Sequence, residues 1–190
     1  MIQTLLNFLY KYFLFIKNKN VTLNGKLKIK NKPLIHIKDG SSLIIGDNTL
    51  LNSKNTKYHV NMFAPVKIYI DRIGAKVKIG NNTRIHGSCL HASESIEIGD
   101  NSLIAANCQI FDNSGHETFL DDPTKRILTS GIVKPIKIGN NCWIGTSVII
   151  LPGSILGNNC IVAAGSIVNG EFTDDSLIGG NPAKFIKLVK

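Results

Sequence analysis

The chain has 190 residues, enough for one domain with a sizeable apolar core. Its formal net charge of +9 is carried mostly by lysine, with arginine only at Arg72, Arg84 and Arg126; a surface of that sign attracts phosphates, acidic saccharides or an anionic bilayer. No aromatic-interleaved basic strand or groove-reading helix accompanies the charge, which argues against a nucleic-acid-binding module.

Residues 1–20 form the first expected element, an amphipathic helix in which Leu5, Leu6, Phe8, Leu9, Tyr12, Phe13 and Ile16 recur at helical spacing. The stretch is too short, and too interrupted by Lys11, to span a bilayer. It has neither the basic leader nor the small-residue cleavage site of a secretory signal, so a cytoplasmic location is expected. The helix reads as a cap over an open coil end or a neighbouring subunit. The alternative is peripheral membrane contact through residues 1–19, with Lys11, Lys17 and Lys19 near headgroups at the inner face of the membrane.

From residue 21 to 172 the dominant signal is a period of six. It is ragged between Val21 and Val66, where only Ile45-Gly46-Asp47-Asn48-Thr49 is clear, so imperfect coils are expected there. Ile73, Ile79, Ile85 and position 91 follow at steps of six; after one extra residue the register resumes at Ile98, Ile104 and Ile110. The last run is the cleanest: Ile138, Ile144, Ile150, Leu156, Val162 and Val168. Six is neither a helical period nor a strand alternation. It fits a chain that turns a corner every six residues, so that three hexads close a triangular coil and stacked coils bury one apolar column. The aliphatic residue then points to the axis, a small residue four positions on packs beside it, and glycine or Asn-Asn occupies the corner.

All four cysteines fall in that small-residue slot. Cys142 and Cys160 are eighteen apart and Cys89 and Cys108 nineteen, so each pair should stack in adjacent coils and point inward. Without a Cys-x-x-Cys pattern they read as buried apolar side chains in a reducing compartment.

The period breaks between Phe111 and Pro135, so residues 111–135 must leave the coil as a protruding loop, and a long loop in a regular repeat is usually functional. His116, beside Gly115, is the leading candidate for proton transfer, because histidine is the residue type that ionises near neutrality. Asp112 and Glu117 lie in the same loop, and Asp112 is the preferred partner to orient the imidazole. Beyond the loop, Trp143 should face outward, next to the inward Cys142. Thr146 and Ala164, eighteen apart, should stack on one edge. Residues 173–190 form a C-terminal tail.

From about Ile73 to Lys187 the chain resembles the hexapeptide-repeat acyltransferases, and within them the galactoside, maltose and bacterial surface-polysaccharide O-acetyltransferases. The residues carrying the resemblance are Asp112-Asn-Ser-Gly-His116, Lys134-Pro-Ile-Lys-Ile-Gly139, Cys142-Trp-Ile-Gly145, Leu151-Pro-Gly153, Ala163-Ala-Gly-Ser166 and Gly180-Asn-Pro-Ala-Lys184. The resemblance implies an all-β fold, a left-handed parallel β-helix, assembled as a homotrimer with active sites between neighbours. It implies acetyl-CoA as donor, with no metal, and a saccharide hydroxyl as acceptor. On it, His116 is the general base and a backbone N–H of the coil wall meets the carbonyl charge. Trp143, Thr146, Ala164, Lys184 and Lys187 hold the cofactor, the lysines at its phosphates, where galactoside-type enzymes commonly carry arginine. Trp143 also lines the acceptor side.

The acceptor side departs from the galactoside pattern. Ile85-His-Gly-Ser-Cys-Leu-His-Ala-Ser93 stands where those enzymes carry an Asn and an Asp, which leaves His86 as an acceptor contact. A capsule or lipopolysaccharide sugar is expected, with the basic charge suiting a sialic or uronic acid. The alternative is N-acetylation of an amino sugar. A further rival on the same fold is a γ-class carbonic anhydrase-like zinc protein, with His86, His91 and His59 as ligands.

Overall fold

The structure is a computed structural model that describes residues 19–189. The expected helix over residues 1–20 lies outside the described residues except for Lys19 and Asn20, which form a turn. The membrane contact assigned to residues 1–19 lies outside them too, apart from Lys19. Among the described residues no helix is long and apolar enough to cross a membrane.

Short parallel strands form three flat walls of a triangular prism. The first face stacks Val21–Leu23, Ser42–Ile45, Lys76–Ile79, Ser95–Ile98, Ile136–Ile138, Ile155–Leu156 and Glu171–Phe172. The second stacks Leu27–Lys30, Thr49–Asn52, Arg84–His86, Leu103–Ile104, Trp143–Ile144, Ile161–Val162 and Ser176–Gly180. The third stacks Leu34–Ile37, Lys67–Ile70, Cys89–Ala92, Gln109–Phe111, Ile149–Ile150 and Ile167–Val168. Strands succeed one another around the prism, so each wall gains one strand per coil, in seven coils. The coil runs past residue 172: Ser176–Gly180 lies parallel to Ile161–Val162, and only Ala183–Leu188 doubles back, antiparallel, on the edge of the second face.

The inside is a continuous aliphatic column including Ile79, Ile98, Ile138 and Leu156 from the first face, Ile85, Ile104, Ile144 and Val162 from the second, and Ile110 and Ile150 from the third, all buried. Burial of this kind contributes about 25 cal/mol per Å² of apolar surface, and no single coil could achieve it alone.

The first corner, between the first and second faces, is built from Asn and Asp pairs. The first member of each pair caps the coil below: Asn81 Oδ1 accepts from Asp47 N (2.8 Å), Asp100 Oδ1 from Asn81 N (2.7 Å), Asn140 Oδ1 from Asp100 N (2.8 Å) and Asn158 Oδ1 from Asn140 N (2.9 Å). The second member sits in the left-handed region, at φ 54 for Asn82, 56 for Asn101, 57 for Asn141 and 58 for Asn159. Asparagine tolerates that conformation better than other residues with a β-carbon. Those amides also bond coil to coil, from Asn82 to Asn101 (3.1 Å), Asn101 to Asn141 (3.1 Å) and Asn141 to Asn159 (3.0 Å).

The structure departs from the six-residue pattern in three places. Ile73 is 79% exposed, because it lies on a corner turn with Gly74 rather than on a wall. Position 91 and Cys89 both face outward. The step from Ile85 to the next inward residue, Leu90, is five and not six, after a tight corner at Gly87 (φ 45), and this inverts the alternation along Cys89–Ala92. Ser88 therefore takes the slot expected for Cys89, and its hydroxyl accepts from Cys108 N at 2.9 Å. Cys142 and Cys160 do stack inward, as free thiols. The ragged region from 21 to 66 forms two proper coils, interrupted by a second excursion over residues 53–66.

Asn141→Ala removes two ladder bonds and leaves a β-carbon in the left-handed region, an expected loss of roughly 2–3 kcal/mol. Asn141→Gly loses the same bonds without that strain, and thermal unfolding should show a Tm above that of the alanine variant.

Candidate active site

The excursion after Phe111 leaves from the third corner, between the third and first faces. Asp112 is fully buried, and its two carboxylate oxygens accept from Ser93 N and Glu94 N, each at 2.7 Å. Its carbonyl accepts from Lys134 N (2.8 Å), and Ser114 N donates to Ile132 O (3.0 Å), so the two arms of the excursion are zipped at their root. Asp112 is therefore not the orienting partner expected of it: both its oxygens are committed to the corner turn of the coil below.

His116 finds a different partner. Its Nδ1 lies 2.6 Å from the carbonyl of Arg126. Arg126 sits in a six-residue 3-10 turn, Pro123–Leu128, which Asp122 caps by accepting from Thr124 N (3.2 Å). A carbonyl only accepts, so Nδ1 carries a proton, and in the neutral ring the lone pair is on Nε2. The imidazole is exposed, and so are Leu120, Ile127 and Leu128 on the same excursion.

The residues assigned to the cofactor gather elsewhere, at the second corner and on the second face. Trp143 faces outward, 53% exposed, and stands in register with Leu103 and Ile161. Its row continues through Ile161 and Leu177 to Lys187, three strand spacings away, or about 14 Å at ~4.8 Å each. Thr146 and Ala164 occupy successive turns of one corner, where Gly165 N donates to Thr146 O (2.9 Å) and Thr146 Oγ1 to Ala106 O (2.8 Å). A β-carbon on Gly145 would come within 2.6 Å of Ala164 N, so glycine permits the close stacking. Lys184 and Lys187 are exposed on Ala183–Leu188, the strand that doubles back. Within one chain, then, His116 is rooted at the third corner and the remaining candidates line the second.

His86 is not the solvent-facing corner residue expected. It is 8% exposed, under the second excursion: Tyr58 stacks on it at 4.8 Å between ring centroids, and Asn52 Nδ2 donates to its Nδ1 at 3.1 Å. Asn52 Oδ1 accepts from Lys54 N (3.0 Å), which fixes the amide that way round. Burial, aided by the charges of Arg84, Lys30 and His59, lowers the His86 pKa to about 4.

His91 belongs to another wall. Its Nε2 pairs with Asp71 at 2.8 Å, and Ser93 Oγ donates to the same carboxylate at 2.8 Å. Burial works against charge on Asp71, but these hydrogen bonds hold it below the ordinary carboxylate range. Tyr69 meets the His91 ring edge-on and stacks on His36. The three histidines of the zinc reading thus do not converge, and no metal-holding trio of His, Cys, Asp or Glu occurs among the described residues. The Asp71–His91 pair and the Tyr58 lid were missed from sequence; the period-two alternation of Cys89–Ala92 was the available signal for the first.

Residues 76–111 match the family described as hexapeptide repeat of succinyl-transferase, and residues 135–170 the one described as bacterial transferase hexapeptide (six repeats). A putative lipopolysaccharide biosynthesis O-acetyl transferase, WbbJ, of Escherichia coli is 33% identical over 147 residues, covering 72% of this chain and 73% of that protein. This chain belongs to the hexapeptide-repeat acyltransferase family. A probable acetyltransferase of Mycobacterium tuberculosis is 36% identical over 117 residues; that match takes in 61% of this chain but only 36% of the relative's length. The hexapeptide-repeat acetyltransferase of Vibrio cholerae complexed with acetyl coenzyme A shares the fold, with a TM-score of 0.59 and 25% identity over 95% of this chain and 77% of that one. The prism is accordingly the left-handed parallel β-helix of this hexapeptide-repeat family.

The unfolded chain protonates His86 near pH 6.5 and the folded chain only near 4, so the unfolded state binds the extra proton between those values. Stability should be full above about pH 6.5 and fall, by on the order of 3 kcal/mol, as pH drops towards 4. Unfolding curves at pH 7 and 4.5 should show that loss in the native protein, and less of it in His86→Gln.

Proposed function

We propose that the protein is an acetyl-CoA-dependent O-acetyltransferase that acetylates a hydroxyl of a bacterial surface saccharide, and that it works as a homotrimer. The observation that carries this reading is the open Nε2 of His116, whose ring is held through Nδ1 by the Arg126 carbonyl just beyond the zipped root of the excursion. The small-residue edge at Thr146 and Ala164, with Lys184 and Lys187 beyond it, supplies the complementary half.

His116 Nε2 takes the proton of the acceptor hydroxyl as that oxygen attacks the acetyl carbonyl. The C–O bond forms, the C–S bond breaks, and the imidazolium returns its proton to the departing thiolate. Thr146 and Ala164 present backbone groups to the pantetheine arm while their small side chains let it lie close. Lys184 and Lys187 meet the phosphates as point charges, and Trp143 forms a wall shared by donor and acceptor.

The faces support a threefold arrangement. The first face points Lys76, Lys78, Glu97, Lys137 and Glu171 outward. The third points Leu34, Tyr69, Phe111, Ile149 and Ile167 outward beside the polar His36, Lys67 and Gln109, with Leu34 52% exposed. Setting the third face toward a threefold axis covers those apolar side chains and leaves the more charged first face in water. In that ring the third corner of each protomer adjoins the second corner of the next, which brings His116 to a neighbour's cofactor edge.

The acceptor class is supported by the surface-saccharide role in the name of the Escherichia coli relative. The net charge of +9 favours an acidic sugar such as a sialic or uronic acid.

Thiol release from acetyl-CoA, assayed with a panel of bacterial saccharides, tests the reading. His116→Ala should lower kcat by about 10²–10⁴ while acetyl-CoA binding is unchanged; near-full turnover would remove the base assignment. Exposed Ala164, replaced by Trp, should block the cofactor edge. Refolding the two inactive variants together should restore about a quarter of native activity, because one site in four then joins an intact imidazole to an intact edge.

A further inference from the structure

The second excursion, residues 53–66, has no part in the acetyl transfer described above, yet it is firmly built. Ser53 N donates to Lys30 O (2.7 Å), Val66 N to Ser53 Oγ (3.0 Å), Met62 N to Asn55 Oδ1 (2.9 Å) and Phe63 N to Asn107 Oδ1 (3.0 Å). Between this loop and the first coil lies a cavity of about 360 Å³ lined by Lys30, Asn31, Lys54, Thr56, Lys57 and Tyr58, with buried Asn52 and Ile29 at its floor. Three of its residues are lysines and none is a carboxylate. Among the described residues, none of these lysines takes part in an ion pair. Thr56 adds a hydroxyl donor. The Tyr58 phenol, pushed up by burial, stays a donor too.

The pocket lies on the same corner as the cofactor edge, with residues 61–64 of the excursion packed on Gly87 and Asn107 between the two. Backbone bonds climb the second corner from coil to coil: Gly87 N to Asn52 O (2.9 Å), Asn107 N to Gly87 O (3.0 Å), Ser147 N to Ala106 O (2.9 Å) and Gly165 N to Thr146 O (2.9 Å). The phosphate-end lysines, Lys184 and Lys187, lie at one end of this edge and the lysine pocket at the other. The excursion bearing His116 leaves between the fourth and fifth coils, so its level lies between those ends. From the second coil to Thr146 in the fifth is three strand spacings, or about 14 Å. A hydroxyl reacting near the Thr146 level, on a molecule that passes over residues 61–64 toward the first coil, would bring its far end into the pocket.

We propose that this pocket binds the phosphate or diphosphate group through which the acceptor saccharide is attached to its carrier. The inference rests on the saccharide-acceptor reading above. A cluster of three ammonium groups matches a multiply charged anion better than the single charge of a sugar carboxylate. The span of about 14 Å exceeds one hexose ring, which points to a carrier-linked saccharide and not to a free monosaccharide. Nucleoside diphosphate and polyprenyl diphosphate carriers share this chemistry.

The test uses the whole chain saturated with CoA, so that Lys184 and Lys187 are occupied, and titrates inorganic pyrophosphate by calorimetry. The native protein should bind it, and Lys30→Gln/Lys54→Gln/Lys57→Gln should bind about tenfold or more weakly. CoA affinity should be unchanged in that triple variant and reduced in Lys184→Gln/Lys187→Gln. Equal pyrophosphate affinity in the native and triple-variant proteins would overturn the pocket. Two arms then identify the carrier. Lysine-dependent displacement of pyrophosphate by UDP assigns a nucleotide. Lysine-dependent flotation with phosphatidylcholine vesicles containing polyprenyl diphosphate, and not with plain vesicles, assigns a lipid. If neither UDP nor those vesicles engages the pocket, the acceptor role is wrong. Loss of CoA binding in the native protein would instead sink the acetyltransferase reading, and leave pyrophosphate binding free to stand or fall separately.

Discussion

The winding depends on one repeated interaction: a corner asparagine held at positive φ, with its amide bonded to the equivalent amide one coil away. A coil that closes in three short walls must turn sharply every six residues or so, and from Asp47 onward each turn of the first corner places a residue in the left-handed region. Glycine would permit it but contribute nothing to stacking. Asn82, Asn101, Asn141 and Asn159 permit it and also bond along the prism, while their neighbours Asn81, Asp100, Asn140 and Asn158 cap the backbone N–H groups of the coil below. The ladder fixes the height of each coil relative to the next. That is why outward residues far apart in sequence, such as Arg84, Leu103, Trp143 and Ile161, come to share one row.

A regular wall also makes interruptions informative. Neither excursion disturbs the strands beside it: Ile96 still pairs with Ile136 across the 111–135 loop, and Ile68 sits on Ile35 despite the 53–66 loop. The aliphatic column supplies that tolerance, because neighbouring coils provide most of the burial for each strand. Loops can then be lengthened at the corners at little thermodynamic cost. One of these loops presents a histidine, and the other closes over a histidine and encloses a lysine pocket.

Much of this was legible in the sequence, and the misses have a common cause. The hexads from Ile138 to Val168 gave the coil, the inward thiols at Cys142 and Cys160, the outward Trp143 and the stacking of Thr146 on Ala164, because there the corner length is constant. At Gly87 the corner shortens by one residue. A slip of one residue turns every side chain of a strand to the opposite face, so Cys89 and His91, expected inside, are outside. Between Val21 and Val66 the ragged period concealed two regular coils, because a fourteen-residue insertion scrambles a count based on spacing alone. Asp112 was misjudged for a different reason. Proximity in sequence suggested service to His116, but a carboxylate next to a corner finds backbone N–H donors first, at Ser93 and Glu94.

The arrangement of corners has a consequence for how such a site could evolve. The proposed base on the third corner and the proposed ligand edge on the second are separated by the width of a wall in one chain, and no rotamer of His116 shortens a wall. Lengthening the excursion until it wrapped its own third face would cost ordering entropy in a loop already rich in exposed Leu120, Ile127 and Leu128. Docking that same loop on a second copy costs no extra chain. In the proposed trimer it would bury those apolar side chains and exclude water from the imidazole as the two halves of the site meet. In that proposed trimer, assembly and catalysis draw on the same loop residues, and a change at Ile127 or Leu128 would weaken both together.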